Sequence, residues 1–275
     1  LYTLALATLT SSATYATQDA ATVASAPITD PGPIVRTSTG RLQAQWEKAG
    51  SIASFKGIPY AAPPIGDLRW MPPQLPSSWQ GVRNAQEYGA SCPQQGGMQS
   101  MGRSMLSDLG ENPDDSPPNG PMSEDCLFIN VWTPDLDPEE LAPVMVWVHG
   151  GGHRIGSSRF DSSRICEKGF VSVNFNMRLG VLGFFSHPSL SAASPTGTSG
   201  NQSLQDDIAA LRWVQQNIVN FGGDPNRIVL GGLSAGASSA TMLLTAPSAQ
   251  GLFHSVLSVS PGPIAIHHGL TAGAQ

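Results

Sequence analysis

The sequence predicts an α/β fold, a mixed and mostly parallel sheet covered by helices, and three observations lead there. The segments "VMVWVHG" (144–150) and "FVSVNFN" (170–176) are expected to be strands covered on both faces, the first being apolar at nearly every position. Between 203 and 220, Leu204, Ile208, Leu211, Val214 and Ile218 recur at helical spacing. A short apolar run, Ile228 to Leu230, then leads through a glycine-bracketed serine into small residues that suit a helix. Strand, helix, strand, sharp turn and helix, in that order, put helices on the faces of a sheet.

Each further element has its own signal. Residues 1–16, "LYTLALATLTSSATYA", are expected to be the apolar part of a truncated secretory signal, which implies export to the periplasm or beyond. Residues 17–33, rich in Ala, Thr and Pro, read as a flexible lead-in, and residues 34–275 as part of one domain. Residues 34–60 alternate apolar and polar, with Gly40 and Gly50 as turns, like a small antiparallel unit. "LFINVW" (127–132) is a further strand. Ser203 with Asp206 resembles a capping box, and Gly222-Gly223 followed by Pro225 ends the helix.

Composition narrows the function. Twenty acidic against 14 basic residues give a net charge of −6, and no basic cluster exists, which argues against a nucleic-acid partner. No run reaches the 18 apolar residues of a transmembrane helix. The three cysteines, at 92, 126 and 166, lack metal-ligand spacing, and neither a metal nor a cofactor is expected. In an oxidising compartment they imply one pair and one leftover thiol. A Cys92–Cys126 pair would close a loop of about 35 residues, contributing roughly 4 kcal/mol on the chain-entropy view.

The chemistry lies in two glycine-rich turns. Gly232-Leu233-Ser234-Ala235-Gly236 fits G-x-S-x-G, a cheap pattern in a chain with 30 glycines. Its context, a buried strand before and a helix after, is what a nucleophilic serine on a strained turn requires. Upstream, "VWVHGGG" runs a strand into Gly150-Gly151-Gly152, where the backbone can approach a substrate and aim N–H groups at a developing oxyanion. A phosphate-cradling loop would need a following Lys-Ser/Thr, which is absent.

Six segments together resemble the type-B carboxylesterases, the family of the cholinesterases and bacterial para-nitrobenzyl esterases. They are "FKGIPYAAPPIGDLRWMPPQ" (55–74), "SEDCLFINVWTP" (123–134), "PVMVWVHGGG" (143–152), "RLGVLGFF" (178–185), "ALRWVQQNIVNFGGDPNRIVLGGLSAGA" (210–237) and "GLFHSVLSVSP" (251–261). The resemblance implies the α/β-hydrolase fold and a serine carboxylic ester hydrolase working through an acyl-enzyme on a small-molecule ester. It makes Ser234 the nucleophile and the N–H groups of Gly151, Gly152 and Ala235 the oxyanion hole. It pairs Arg69 with Glu124 and Arg178 with Asp206 as buried structural ion pairs, and Cys92 with Cys126 as a disulfide.

The sequence also departs from the family. Leu233 stands where most members carry Glu, and residues 93–126 contain no aromatic, so a cationic, choline-like ester has no partner and a neutral small-to-medium ester is expected. His153 replaces the usual aromatic after the glycines and reads as a wall residue with a locally satisfied ring. In this fold the triad runs Ser, then acid, then His. No Asp or Glu follows Ser234, and His254, His267 and His268 come too soon after it. The chain is therefore expected to be the N-terminal portion of an esterase, without the later strands, the acid or the base, and inactive by itself. Two other readings are a non-catalytic adhesion or binding module of the same fold, and the product of a gene remnant.

Overall fold

The structure, a computed structural model, describes residues 31–95 and 120–262, with a few positions between 103 and 112. The expected signal segment (1–16), most of the lead-in, and His267 and His268 lie outside the described residues.

Ten strands are described: β1 (Ile34–Arg36), β2 (Arg41–Gln43), β3 (Gln45–Glu47), β4 (Ile52–Pro59), β5 (Val82–Asn84), β6 (Phe128–Thr133), β7 (Ala142–Val148), β8 (Val171–Phe175), β9 (Gly223–Leu233) and β10 (Ser255–Val259). The helices are α1 (Ser163–Cys166), α2 (Gly180–Phe184), α3 (Pro188–Ala193), α4 (Gln202–Asn217) and α5 (Ala235–Leu243). The main sheet has the order β10-β9-β7-β8-β6-β4-β3. Its half from β8 through β7 and β9 to β10 is parallel, and the half through β6, β4 and β3 is antiparallel. This is the α/β-hydrolase fold. β8 is buried at all five residues although its sequence, Val-Ser-Val-Asn-Phe, alternates apolar and polar, so its polar side chains are covered as well.

Two local expectations are corrected. Residues 34–60 do not form one antiparallel unit. β1 and β2 pair antiparallel but continue into β5, whereas β3 and β4 form a hairpin on the main sheet. The cause lies in β4, which is buried on both faces and pairs with β6, so its apolar residues belong to the large core. Phe55 of β4 meets Phe221 edge-on with ring centroids 5.0 Å apart.

The second correction concerns the start of α4. Its N-cap is Asn201, without a side-chain cap bond, and the Ser203–Asp206 capping box does not form. Asp206 turns inward to Arg178, and the Ser203 hydroxyl is buried with no partner. The other end behaves as the sequence implies, since a turn of 3-10 helix closes on Gly222 at φ +76.

α5 packs on β9, β10 and β7, and α4 on α2 and β9. Among the described residues, no helix is long and apolar enough to cross a membrane.

Candidate active site

β9 passes into α5 through Ser234, whose backbone sits at φ 55 and ψ −119. A positive φ at a non-glycine residue costs on the order of 1–3 kcal/mol and persists only where packing enforces it. Here the two bracketing glycines do so. A Cβ at Gly232 would stand 2.4 Å from the Gly236 carbonyl, and one at Gly236 would stand 2.2 Å from the Val148 carbonyl oxygen. Strand, elbow and helix therefore touch backbone to backbone. The Ser234 N–H donates to the Val259 carbonyl at 2.9 Å, tying the elbow to β10. The serine is half-buried and faces a cavity of about 700 Å³.

The loop after β7 lies against this elbow. A Cβ at Gly150 would be 2.9 Å from the Leu233 carbonyl oxygen, so the close approach needs a glycine there. The Arg154 and Ile155 N–H groups both donate to the Gly151 carbonyl at 3.1 Å, which closes a tight turn. Gly152 lines the cavity wall with Ala235 and Ser234. Among the described residues, no hydrogen bond takes up the Gly151 or Gly152 N–H. Ala235 opens α5, so its N–H has no acceptor within the helix. The structure thus brings Ser234, Gly152 and Ala235 together on the wall of one cavity, with Gly151 preceding Gly152 in the same turn. Phe184, Phe185, Leu204 and Met242 supply apolar wall, and no carboxylate lines the cavity among the described residues.

Two ion pairs hold the surrounding loops, with unequal burial. Arg178 grips Asp206 with three donors: its backbone N at 3.0 Å, Nε at 2.8 Å and Nη2 at 2.7 Å. Both side chains are buried. Burial pushes the Asp206 carboxyl up, and the Arg178 charge and donors pull it back down. Arg69 also forms a bidentate pair with Glu124, at 2.5 and 2.6 Å. Its side chain, however, is 40 % exposed and that of Glu124 28 %. The reading of this second pair as buried is therefore corrected: Arg69 lies along the surface with its guanidinium over the Trp70 ring. Cys92 and Cys126 form the disulfide, and Cys166 is free and buried.

The histidines near the loop differ in environment. Burial holds His149 down to about 4, and the ring is anchored by Nδ1 to the Gly150 carbonyl at 2.8 Å. His153 lines the cavity, and its Nε2 lies 2.8 Å from Ser239 Oγ. His254 stands elsewhere, its Nδ1 accepting from the Ile228 N–H at 3.2 Å.

Sequence reasoning missed Ser239 and Asp207, both fully buried beside the site. Asp207 carried a signal, a second acid next to Asp206 on the apolar face of a helix. Ser239 carried none, being one of several small residues after the elbow.

Comparison with known proteins agrees with this architecture. The carboxylesterase family matches residues 31–271. The chain is similar to the fumonisin B1 esterase of Sphingopyxis macrogoltabida, with 42 % identity over 236 residues that make up 85 % of this chain and 40 % of the relative. It is also 41 % identical to mouse acylcarnitine hydrolase, over 83 % of this chain and 40 % of that protein. A solved para-nitrobenzyl (PNB) esterase superposes with a TM-score of 0.71 at 37 % identity, covering 83 % of this chain and 44 % of that one. The chain thus spans about two-fifths of the length of the curated relatives it matches. Fold, elbow, glycine loop and similarity agree: the chain belongs to the carboxylesterase family.

Proposed function

We propose that this chain carries the nucleophile and oxyanion-binding portion of a serine esterase that hydrolyses neutral, small-to-medium carboxylic esters through an acyl-enzyme. One observation carries the reading: Ser234 is held at positive φ on the strand–helix elbow, with the Gly150–Gly152 turn packed against its backbone at a cavity mouth. In this reading Ser234 Oγ attacks the ester carbonyl. The N–H groups of Gly151, Gly152 and Ala235 receive the oxyanion, each worth about 3–4 kcal/mol in the transition state. The alcohol leaves, and water then releases the acid from Ser234. The base that takes the serine proton and the acid that orients it are assigned to sequence beyond that described, since no Asp or Glu follows Ser234. The family membership and the two-fifths coverage of the relatives support that assignment.

An apolar wall without carboxylates, and Leu233 beside the nucleophile, favour neutral esters over cationic ones. Export is proposed from the apolar residues 1–16, and the Cys92–Cys126 disulfide is compatible with it. Residues 17–275 expressed alone are expected to give at most trace turnover, because an unassisted serine hydroxyl is a weak nucleophile.

The test is Ser234→Ala in the full-length protein. Hydrolysis of 4-nitrophenyl butyrate is expected to vanish while the circular dichroism spectrum is unchanged. Wild-type turnover in that variant would remove Ser234 from the mechanism.

A further inference from the structure

His153 is unusual in three respects. It sits at φ 56, although a residue with a Cβ pays for that conformation and the two residues before it are glycines. It is tied down on several sides: its carbonyl accepts from the Gly180 N–H at 2.7 Å, its ring meets Phe184 at 5.1 Å, and its Nε2 meets Ser239 Oγ at 2.8 Å. Its ring also lies beside the backbone of Ala235, the residue whose N–H is assigned to the oxyanion hole.

Behind Ser239 lies Asp207, fully buried, with neither carboxyl oxygen in a well-formed hydrogen bond. A buried polar group without a partner costs stability, so its presence points to a role. Burial first, then the neighbouring Asp206, push the Asp207 carboxyl far up, and Ser239 opposes them. Burial thus favours the protonated form of Asp207 beside Ser239. Ser239 can then donate to His153 Nε2, which leaves the ring proton on Nδ1. Burial likewise disfavours a charged His153 ring. The array runs from α4 through α5 to the loop after β7, joining residues far apart in sequence.

We propose that His153 is a positioning residue for ester hydrolysis: held by Ser239 and backed by Asp207, it fixes the Gly151–Gly152 turn against Ala235 so that the three N–H donors converge on one oxyanion. The proposal rests on the esterase reading above and adds to it a role for three residues outside the serine elbow and its donors. A loose turn would weaken transition-state contacts more than substrate binding, so the loss belongs in kcat.

The experiment uses the full-length protein and 4-nitrophenyl butyrate. His153→Phe and Ser239→Ala are each expected to lower kcat by about 10- to 100-fold with KM changed less than about threefold. Their double variant should be no worse than the poorer single one, because both break one array. His153→Gln, which can still reach Ser239, should recover part of the loss, and Asp207→Asn should lose less than Asp207→Leu. A His153→Phe variant with wild-type kcat, or full additivity in the double variant, overturns the proposal. A second arm needs no turnover: nitrogen-15 spectra of the histidine rings at neutral pH. A single neutral Nδ1–H form of His153 is expected, replaced by a tautomer mixture in Ser239→Ala; a ring indifferent to that substitution overturns the array. If wild-type protein hydrolyses no ester while the ring spectra behave as described, the esterase reading fails and the array stands.

Discussion

Gly236 lies directly against Val148: a Cβ at position 236 would stand 2.2 Å from the Val148 carbonyl oxygen. Two segments 88 positions apart in sequence thus meet backbone to backbone at the foot of the elbow, where neither can yield without moving its strand or helix. Gly236→Ala is therefore expected to cost about 1–3 kcal/mol of stability and to lower ester turnover more than stability alone explains. Thermal melting and 4-nitrophenyl butyrate assays of the full-length variant check both. An unchanged melting temperature would show that the elbow can relax.

The two ion pairs should respond differently to removal of one partner. Asp206→Ala strands a buried Arg178 and is expected to cost about 3–5 kcal/mol, enough to lose most folded protein at 37 °C. Glu124→Ala leaves a partly exposed Arg69 that water can solvate, so only a small fall in melting temperature is expected. Equal losses from the two substitutions would mean that burial does not set the difference.

Cys166 should be chemically silent in the folded protein. Burial pushes its thiol up to about 12, so almost no thiolate exists at neutral pH. Thiol counting with Ellman's reagent should find none of the three cysteines in native protein, Cys166 alone after denaturation, and all three after reduction. Labelling of native protein would place Cys166 in an open environment.

His149 should make stability pH-dependent. Its folded value of about 4 lies below the ordinary value of 6.5, so the unfolded chain binds a proton that the folded chain refuses. The stability this confers is fully present above about pH 6.5 and is lost as pH falls toward 4, amounting to about 3 kcal/mol in all. Asp207, held high by burial, works in the opposite direction, because acidification relieves its cost. The comparison must therefore be with His149→Gln. The wild type is expected to lose its advantage over that variant between pH 7 and pH 5, as read by urea unfolding. Parallel pH profiles would show that the ring titrates freely.

Much of this was legible in the sequence by itself. An uninterrupted apolar run gave away β7, whereas β8 alternates with Ser172 and Asn174, whose face is nonetheless buried. Helical spacing gave α4, and the glycine pair at 222 and 223 gave its end. The order of a glycine turn, a helix and a glycine-bracketed serine marked the elbow, because local backbone strain must be written into local residues. What the tertiary structure alone decided involves partners distant along the chain. Ser203 and Asp206 have the spacing of a capping box, but Arg178 offers that carboxylate three donors, which a single helix-end N–H cannot match. Residues 34–60 alternate like an isolated hairpin unit, yet β4 leaves its neighbours to pair with β6 and complete the main sheet. The contact of His153 with Ser239 spans 86 residues, and no periodicity or motif encodes it. It exists only because the strand order brings the loop after β7 beside the helix after β9, where buried polar groups must find one another.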